Sequence, residues 1–235
     1  MTPLTDHQKQ ALAAYWALTV SHPNLFVGRP ARPIVLDNEV LAEYAAEHGV
    51  VLGVAADTPF VLFIVDLVES QTADGRALRF PYLRVVARAQ LDGAVNVAVI
   101  ATIENPSLGR PGDLVLVEQE RHAPGTRQLE FPRGFGELGL TGEQNALREL
   151  AEETGYIGDR AHFLGSTFVD SGLTDTVVSF YHVPVTSRVA ATPEVSEAIH
   201  AVFLASRAET WDRIRSGEIR DSFTLQALAL FEKGL

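Results

Sequence analysis

The chain contains 235 residues, of which 30 are acidic and 19 are lysine or arginine, so its formal net charge is −11. This negative balance argues against a nucleic-acid backbone or an anionic membrane as a partner, although a bound cation would still allow a phosphate-bearing small molecule to bind. The chain has no cysteine, which excludes disulfides and thiolate metal sites and favours a reducing, cytoplasmic location.

Residues 1–92 are predicted to form an accessory α+β region. Thr5 or Asp6 can cap a first helix, and Asp37 can cap a second helix that ends at Gly49. The strand-like runs that follow are Val50–Val54, Phe60–Val68 and Leu78–Ala89. Because the last two runs are too apolar for a small exposed sheet, we expect them to contribute to a homodimer interface.

The most apolar stretch, residues 50–68, does not predict a membrane span. Asp57 and Asp66 interrupt it, whereas a spanning helix needs about 20 predominantly apolar residues. The N-terminal sequence MTPLTDHQKQALAAYW is polar and amphipathic and does not resemble a signal peptide. We therefore expect no membrane partner.

Residues 93–235 contain both strand-like and helix-like segments. The predicted strands are Val95–Ile103, Leu114–Gln119, Gln128–Phe131, Phe163–Phe168, Thr176–Val183 and Ala201–Ala205. The predicted helices are one that ends at Thr154–Gly155, followed by Ala208–Ser216 and Phe223–Glu232. Asp221 or Ser222 can cap the last of them.

The helix that ends at Thr154–Gly155 carries three carboxylates on one face. An α-helix advances about 100° per residue, so Glu149, Glu152 and Glu153 lie together. Like charges on one face destabilise a helix, and the helix dipole disfavours acids in the last turn. Most glutamate runs are solvated faces, but here a strand and a glycine-rich turn precede the helix and bring backbone close to the carboxylates. The pattern predicts a site for a hard divalent cation such as Mg²⁺, which prefers oxygen ligands.

A second motif overlaps this stretch. Gly134, Gly136 and Gly139 fit the dinucleotide-binding pattern G-x-G-x-x-G between a predicted strand and a helix. That motif presents a helix N-terminus to a pyrophosphate, whereas Glu137 lies inside this loop. No clean second β-α-β half follows, so the carboxylate interpretation is favoured.

The stretch resembles the signature box of the Nudix hydrolase superfamily, in which a glycine, a glutamate and an Arg-Glu-aliphatic-x-Glu-Glu-x-Gly run occur at fixed spacing. The matching residues are Gly134, Arg148, Glu149, Leu150, Glu152, Glu153 and Gly155. Tyr156 occupies the final bulky position, which is normally aliphatic. The first glutamate of the box falls on Leu140, and neither Glu137 nor Glu143 is in register with it.

The order of elements from residue 93 onward is most similar to the ADP-ribose pyrophosphatase branch. This resemblance implies a Nudix α/β/α sandwich with a mixed sheet over residues 93–235, beside the N-terminal α+β extension of residues 1–92. It implies hydrolysis of the diphosphate bond in a nucleoside diphosphate linked to another moiety, giving a nucleoside monophosphate and a phosphorylated product. ADP-ribose is the leading substrate, with nucleotide sugars, NADH and dinucleoside polyphosphates as alternatives.

The resemblance also implies a metal cofactor, Mg²⁺ or Mn²⁺, held by Glu149 and Glu153. Glu152 is expected to act as a further ligand or as a water-orienting base, and the carbonyl of Arg133 as a backbone ligand. Arg148 is expected to pair with a box carboxylate and to keep the end of the helix in shape. These are the residues on which the implied catalysis depends.

One further catalytic glutamate is implied on the loop before Ala201–Ala205, where this branch carries a catalytic base or metal ligand. Glu197 is the first candidate and Glu194 the second. Each of them is also a typical solvated loop acid.

Substrate contacts are implied for Arg121 and Glu130, which occupy the positions that contact substrate in this branch. Arg121 can equally form a surface ion pair with a neighbouring glutamate. Gly134 at the start of the box and Asp175 in the polar loop after Phe163–Phe168 complete the predicted substrate-binding residues.

Leu140 also motivates a second hypothesis from another class. Without the box glutamate, the domain could serve as a Nudix-fold ligand-binding or regulatory module with little turnover. Fold resemblance does not choose among substrates, so both hypotheses need the geometry of the site.

Overall fold

The computed structural model describes residues 3–28, 32–193 and 197–233. The chain forms two compact units. The first unit comprises Met1–Leu91 together with Phe168–Thr176, and the second comprises Asp92–Thr167 and Val177–Leu235. The return of the chain to the first unit at Phe168–Thr176 is not predictable from local sequence, because it depends on contacts with distant strands.

The first two helices of the first unit begin at the predicted residues, and the second also ends where predicted. Helix α1 (Asp6–Ser21) is capped by Thr5, whose side chain accepts a hydrogen bond from the backbone of Gln8 in a capping box. Helix α2 (Asn38–His48) is capped by Asp37 and ends at Gly49, which adopts the left-handed conformation with φ 65°.

The strands of the first unit form an antiparallel sheet in the order β1-β2-β3. Their bounds are β1 (Gly53–Asp57), β2 (Val61–Gln71) and β3 (Ala77–Ala87). The prediction of a strand over Val50–Val54 is wrong by three residues. The strand begins at Gly53 because this is the first residue that pairs with β2, opposite Val65. Helix α1 approaches Gly53 so closely that a Cβ there would lie 2.5 Å from the carbonyl oxygen of Ala11. The predicted end of the third strand is also wrong, since Arg88 starts the short helix α3 (Arg88–Leu91).

One face of this sheet packs against the two helices. The buried cluster there includes Leu12, Tyr15, Leu18, Leu41, Leu52, Ile64 and Leu67. Elsewhere in the unit Phe60, Leu78 and Leu83 are exposed by 72%, 51% and 45%. Burial of the first set supplies the hydrophobic stabilisation of the unit, whereas the second set leaves apolar surface on the sheet.

The second unit contains the six predicted strands and the three predicted helices, together with three further short strands. Its strands are β4 (Asn96–Ile103), β5 (Leu114–Arg121), β6 (Thr126–Glu130), β7 (Arg133–Gly134), β8 (Tyr156–Ile157), β9 (His162–Phe168), β10 (Val177–Val185), β11 (Ser187–Arg188) and β12 (Ile199–Ala205). Its helices are α4 (Gly142–Thr154), α5 (Arg207–Arg215) and α6 (Ser222–Lys233). Asp221 caps α6, because its Oδ2 accepts a hydrogen bond from the backbone N–H of Thr224 at 2.8 Å.

The sheet of the second unit is mixed, as predicted. Its main path runs β12-β5-β4-β10-β9, with β6 paired to β5 and β7 paired to β4. Strand β10 is parallel to β4, whereas β5 is antiparallel to β4. Ala146 and Leu150 of α4 are fully buried with Val97, Val99 and Ala101 of β4. This packing places α4 against β4 and next to β7.

The helices also bear on membrane association. Within the described part of the chain, every helix lacks the combination of length and apolar character that a bilayer crossing requires.

Candidate active site

The site begins where β7 meets β4. Arg133 pairs with Ala98 and Gly134 with Val97, so the backbone before the glycine-rich turn is a short strand of the sheet. Helix α4 follows, and Thr141 caps it in a capping box with Gln144. The predicted end of the helix is confirmed at residue 155, a glycine with φ 75°.

Two asparagines that sequence reasoning missed fix the turn between β7 and α4. Asn145 Nδ2 donates to the carbonyl oxygens of Val95 and Phe135, both at 3.1 Å. Asn96 Oδ1 accepts from the backbone N–H of Gly136 at 2.9 Å. Asn145 and Asn96 are 1% and 4% exposed. Asparagine is disfavoured inside helices, so Asn145 on the apolar side of a predicted helix is a signal that could have been read.

Three carboxylates from separate segments converge beside this turn. Glu149 and Glu153 come from α4 and Glu197 from the loop before β12, and one carboxylate oxygen of each lies within 4.8 Å of the others. Glu149 and Glu153 are 4% and 2% exposed, whereas Glu197 is half-buried. Gly134 lies against this group, since a Cβ at that position would be 2.0 Å from the carboxylate of Glu149. A glycine is therefore required there for the carboxylate to keep its place.

The electrostatics of the group oppose its ionisation in the metal-free protein. Burial raises the pKa of Glu149 to about 7; Arg148 lowers it, and Glu152 and Glu197 raise it further. Burial also raises the pKa of Glu153 well above its usual value of 4.5, and the charges of Glu197 and Glu149 add to the effect. A hydrogen bond from the backbone N–H of Arg133 to Glu153 Oε2, at 3.3 Å, acts in the opposite direction.

This arrangement fits a hard divalent cation. The donor set consists of carboxylate oxygens, which Mg²⁺ and Mn²⁺ accept as ligands. The repulsion and the loss of hydration that raise the pKa values of Glu149 and Glu153 would both be relieved by a cation among the three carboxylates. The backbone of Arg133 lies next to Glu153. The role of the Arg133 carbonyl as a metal ligand stays a prediction.

Arg148 connects the carboxylates on the outer side of α4. Its Nη2 donates to Glu149 Oε1 at 2.5 Å and to Asn145 Oδ1 at 2.8 Å. Its Nη1 donates to Glu152 Oε2 at 2.6 Å. Glu152 therefore pairs with arginine and lies outside the convergent group of three, and its predicted role as ligand or base stays a prediction.

A second charged cluster lies between β5, β6 and α6. Glu130 is fully buried, and its two oxygens accept from Arg121 Nε at 2.8 Å and Arg133 Nη2 at 3.3 Å. Burial raises the pKa of Glu130 although both arginines lower it. Arg133 also lies 3.6 Å from Asp221 and places its guanidinium over the ring of Phe223 at 4.5 Å. Arg121 thus pairs with Glu130 rather than with the neighbouring glutamates considered from the sequence.

The remaining predicted residues lie as follows. Asp175 is in the segment that joins the first unit, and its Oδ2 is 3.9 Å from Nη1 of Arg84 in that unit. Its predicted substrate contact stays a prediction. Glu194 lies outside the described residues. Leu140 is half-buried.

Comparison with known proteins identifies the family. The model of the NUDIX domain matches residues 94–223, which is more than half of the chain. The chain therefore belongs to the Nudix family. The match also decides between the two interpretations of the glycine-rich turn, because the turn lies within the Nudix domain.

Individual relatives match shorter parts. The chain is 47% identical over 62 residues to ADP-sugar pyrophosphatase of Mus musculus, and 34% identical over 91 residues to ADP-ribose pyrophosphatase of Saccharomyces cerevisiae. It is 33% identical over 117 residues to the methanol dehydrogenase activator of Bacillus methanolicus. These matches cover 26%, 39% and 50% of this chain and 28%, 39% and 53% of the relatives, so the chain spans at most about half of their length.

A solved structure supports the fold. The crystal structure of an ADP compounds hydrolase superposes with a TM-score of 0.57 at 19% identity, covering 77% of this chain and 89% of that one. At this identity the likeness concerns the fold alone. It agrees with the mixed sheet and the helices described above.

Proposed function

We propose that this protein hydrolyses the diphosphate bond in a nucleoside diphosphate linked to another moiety, of the ADP-ribose or ADP-sugar type, with Mg²⁺ or Mn²⁺ as cofactor. The products are a nucleoside monophosphate and a phosphorylated second product. The observation that carries the proposal is the convergence of Glu149 and Glu153 from the box helix with Glu197 from a distant loop. Ordinary solvated acids do not converge in a buried place, because bringing like charges together out of water is costly.

The residues that would hold the cation are Glu149 and Glu153, with Glu197 beside them and the Arg133 carbonyl as the predicted backbone ligand. A bound divalent cation supplies neutralisation of the diphosphate and lowers the pKa of a coordinated water. Gly134 leaves the space that the Glu149 carboxylate occupies, and Arg148 orients that carboxylate by its hydrogen bond.

Glu197 is assigned as the base. It is half-buried, whereas the other two members of the group are buried, so it is the member with access to solvent water. In the proposed step it accepts a proton from water, the water oxygen bonds to one phosphorus, and the bridging P–O bond breaks. The leaving group departs with the second phosphate. General-base assistance of this kind contributes about 10²–10⁴-fold to rates.

Substrate recognition is assigned to the cluster around Glu130. Arg121 and Arg133 are 28% and 25% exposed, so part of each guanidinium remains accessible. Their pairing with the buried Glu130 holds both planes in fixed orientations, which suits recognition of phosphate oxygens. Two relatives carry the names ADP-sugar pyrophosphatase and ADP-ribose pyrophosphatase, which supports this class of substrate.

The test is a panel of ADP-ribose, ADP-glucose, NADH and diadenosine polyphosphates, each incubated with Mg²⁺, with Mn²⁺ and with EDTA. Nucleotide products are separated by chromatography. We expect ADP-ribose to give AMP and ribose 5-phosphate with metal and neither product with EDTA. Absence of metal-dependent cleavage across the whole panel would overturn the proposal.

A binding or regulatory module is the second candidate, because Leu140 replaces the box glutamate and one relative bears the name of a methanol dehydrogenase activator. This candidate predicts ligand binding without turnover. Calorimetric titration of the same compounds in the presence of Mg²⁺ distinguishes the two, since an enzyme converts ADP-ribose during the titration whereas a module returns it intact.

We also predict a homodimer to which β2 and β3 contribute. Phe60 before β2 and Leu78 and Leu83 on β3 are exposed. Among the described residues, the outer edge of β3 has backbone pairing only near Val85, with Leu173 and Thr174. Light scattering at micromolar concentration should give about twice the mass of the chain, and Leu83→Lys should shift it towards the monomer. A wild-type protein of monomer mass would contradict this prediction.

A further inference from the structure

Arg148 has one donor group that the contacts above leave unexplained. Its two Nη atoms hold Glu149, Glu152 and Asn145. Its Nε is buried and makes no hydrogen bond in the described structure. The ion pair on that side is with Glu137, whose Oε2 lies 3.3 Å from Nε.

Glu137 contacts this arginine although it does not occupy the glutamate position of the box. It precedes Leu140 by three residues, and the backbone N–H of Leu140 donates to the carbonyl oxygen of Glu137 at 3.3 Å, which closes a turn between them. The turn brings a carboxylate from outside the box pattern to the same side of α4. The side chain of Glu137 is 58% exposed, so the turn holds its backbone while its carboxylate remains partly in solvent.

We infer that Glu137 is a positioning residue that compensates for the missing glutamate at 140. Its carboxylate attracts the Nε side of the Arg148 guanidinium and so keeps Nη2 directed at Glu149. Without it, Arg148 is free to turn towards Glu152, whose side chain is 38% exposed. The buried Glu149 then loses the hydrogen bond that orients its carboxylate. The inference rests on the proposed metal site and assigns one of its supporting residues.

The geometry explains why local register fails to identify this residue. The box pattern identifies residues by their spacing along the chain. The turn at Glu137 brings its carboxylate near Arg148 of α4 at a spacing that the pattern does not contain. Residues that orient metal ligands alter metal affinity when they are replaced. Because the ion pair is partly exposed, solvent screening reduces its effect. We therefore expect a change of about three- to tenfold in metal affinity.

The experiment measures Mn²⁺ binding to the resting protein by electron paramagnetic resonance and Mg²⁺ binding by calorimetry, without substrate. Glu137→Gln should weaken binding by about three- to tenfold, and its metal-free melting temperature should match that of the wild type. Glu143→Gln is the matched control, because it makes the same change at an exposed glutamate in the first turn of α4. It should leave metal binding unchanged.

A rescue distinguishes positioning from a general charge effect. Leu140→Glu in the Glu137→Gln background should restore metal affinity, whereas Glu137→Gln in an Arg148→Gln background should have no further effect. Metal binding by Glu137→Gln equal to that of Glu143→Gln would overturn the inference. Because no substrate is used, this result is independent of the substrate panel that tests the proposed function.

Discussion

Glu149→Gln and Glu153→Gln are each expected to lower metal-dependent hydrolysis by at least about a hundredfold, or about 3 kcal/mol of transition-state stabilisation. Each substitution removes one carboxylate from the group that includes Glu197. The metal-free melting temperature should stay the same or rise, because a buried and repelled charge is removed. Activity is measured with the best substrate of the panel, and stability by thermal melting in EDTA.

Glu143→Gln again serves as the control for both variants, since its side chain is exposed at the other end of α4. It should retain nearly full activity. If Glu149→Gln and Glu153→Gln also retain nearly full Mg²⁺-dependent activity, the proposed metal site is misplaced.

The stability of the metal-free protein is expected to depend on pH through Glu149. Burial raises the pKa of this group from 4.5 to about 7. Between these values the folded protein holds a proton that the unfolded chain has released, so rising pH favours unfolding. Stability from this group is therefore greatest below pH 4.5 and has fallen by about 3 kcal/mol above pH 7.

The measurement is the difference in melting temperature between the wild type and Glu149→Gln in EDTA across this range. The variant should exceed the wild type by several degrees at pH 8, and the two curves should converge near pH 4.5. Comparison with the variant is necessary because burial lowers the pKa of His182 to about 4, and that group contributes an opposite slope below pH 6.5. If the melting temperatures of the two proteins differ by the same amount at every pH, the raised pKa of Glu149 is contradicted.

Metal should reverse this pH dependence. A divalent cation binds the ionised carboxylates, so Mg²⁺ should stabilise the wild type more at pH 8 than at pH 5. Glu149→Gln should show a much smaller Mg²⁺ effect at both values. A wild-type Mg²⁺ effect of equal size at the two pH values would argue against carboxylate ligands.

The features that could be predicted from the sequence are those that depend on near neighbours. Thr5 and Asp37 cap their helices by bonding backbone groups two or three residues away. Helical periodicity alone predicts that Glu149 and Glu153 lie on the same face of α4. The approach of Glu197 was predicted only through the family resemblance, because no local pattern connects a loop to a helix more than 40 residues earlier.

The features that could not be predicted depend on contacts between distant segments. Asn145 bonds the carbonyl of a residue 50 positions earlier, and Tyr82 bonds the carbonyl of Gly172, 90 positions later. Glu137 is out of register with the box, so the sequence pattern does not predict its ion pair with Arg148. That ion pair depends on the turn between Glu137 and Leu140. The start of β1 has the same origin, since it depends on which residue pairs with Val65 of β2.

The return of Phe168–Thr176 to the first unit has a consequence for recombination between relatives. Leu173 accepts a backbone hydrogen bond from Val85 at 2.8 Å, and Thr174 forms a bridge with the same residue. A chimera that exchanges only residues 1–91 would separate β3 from the nine-residue segment that pairs with it at Val85. The structural unit is therefore discontinuous in the chain, and an exchange that keeps these contacts carries both segments together.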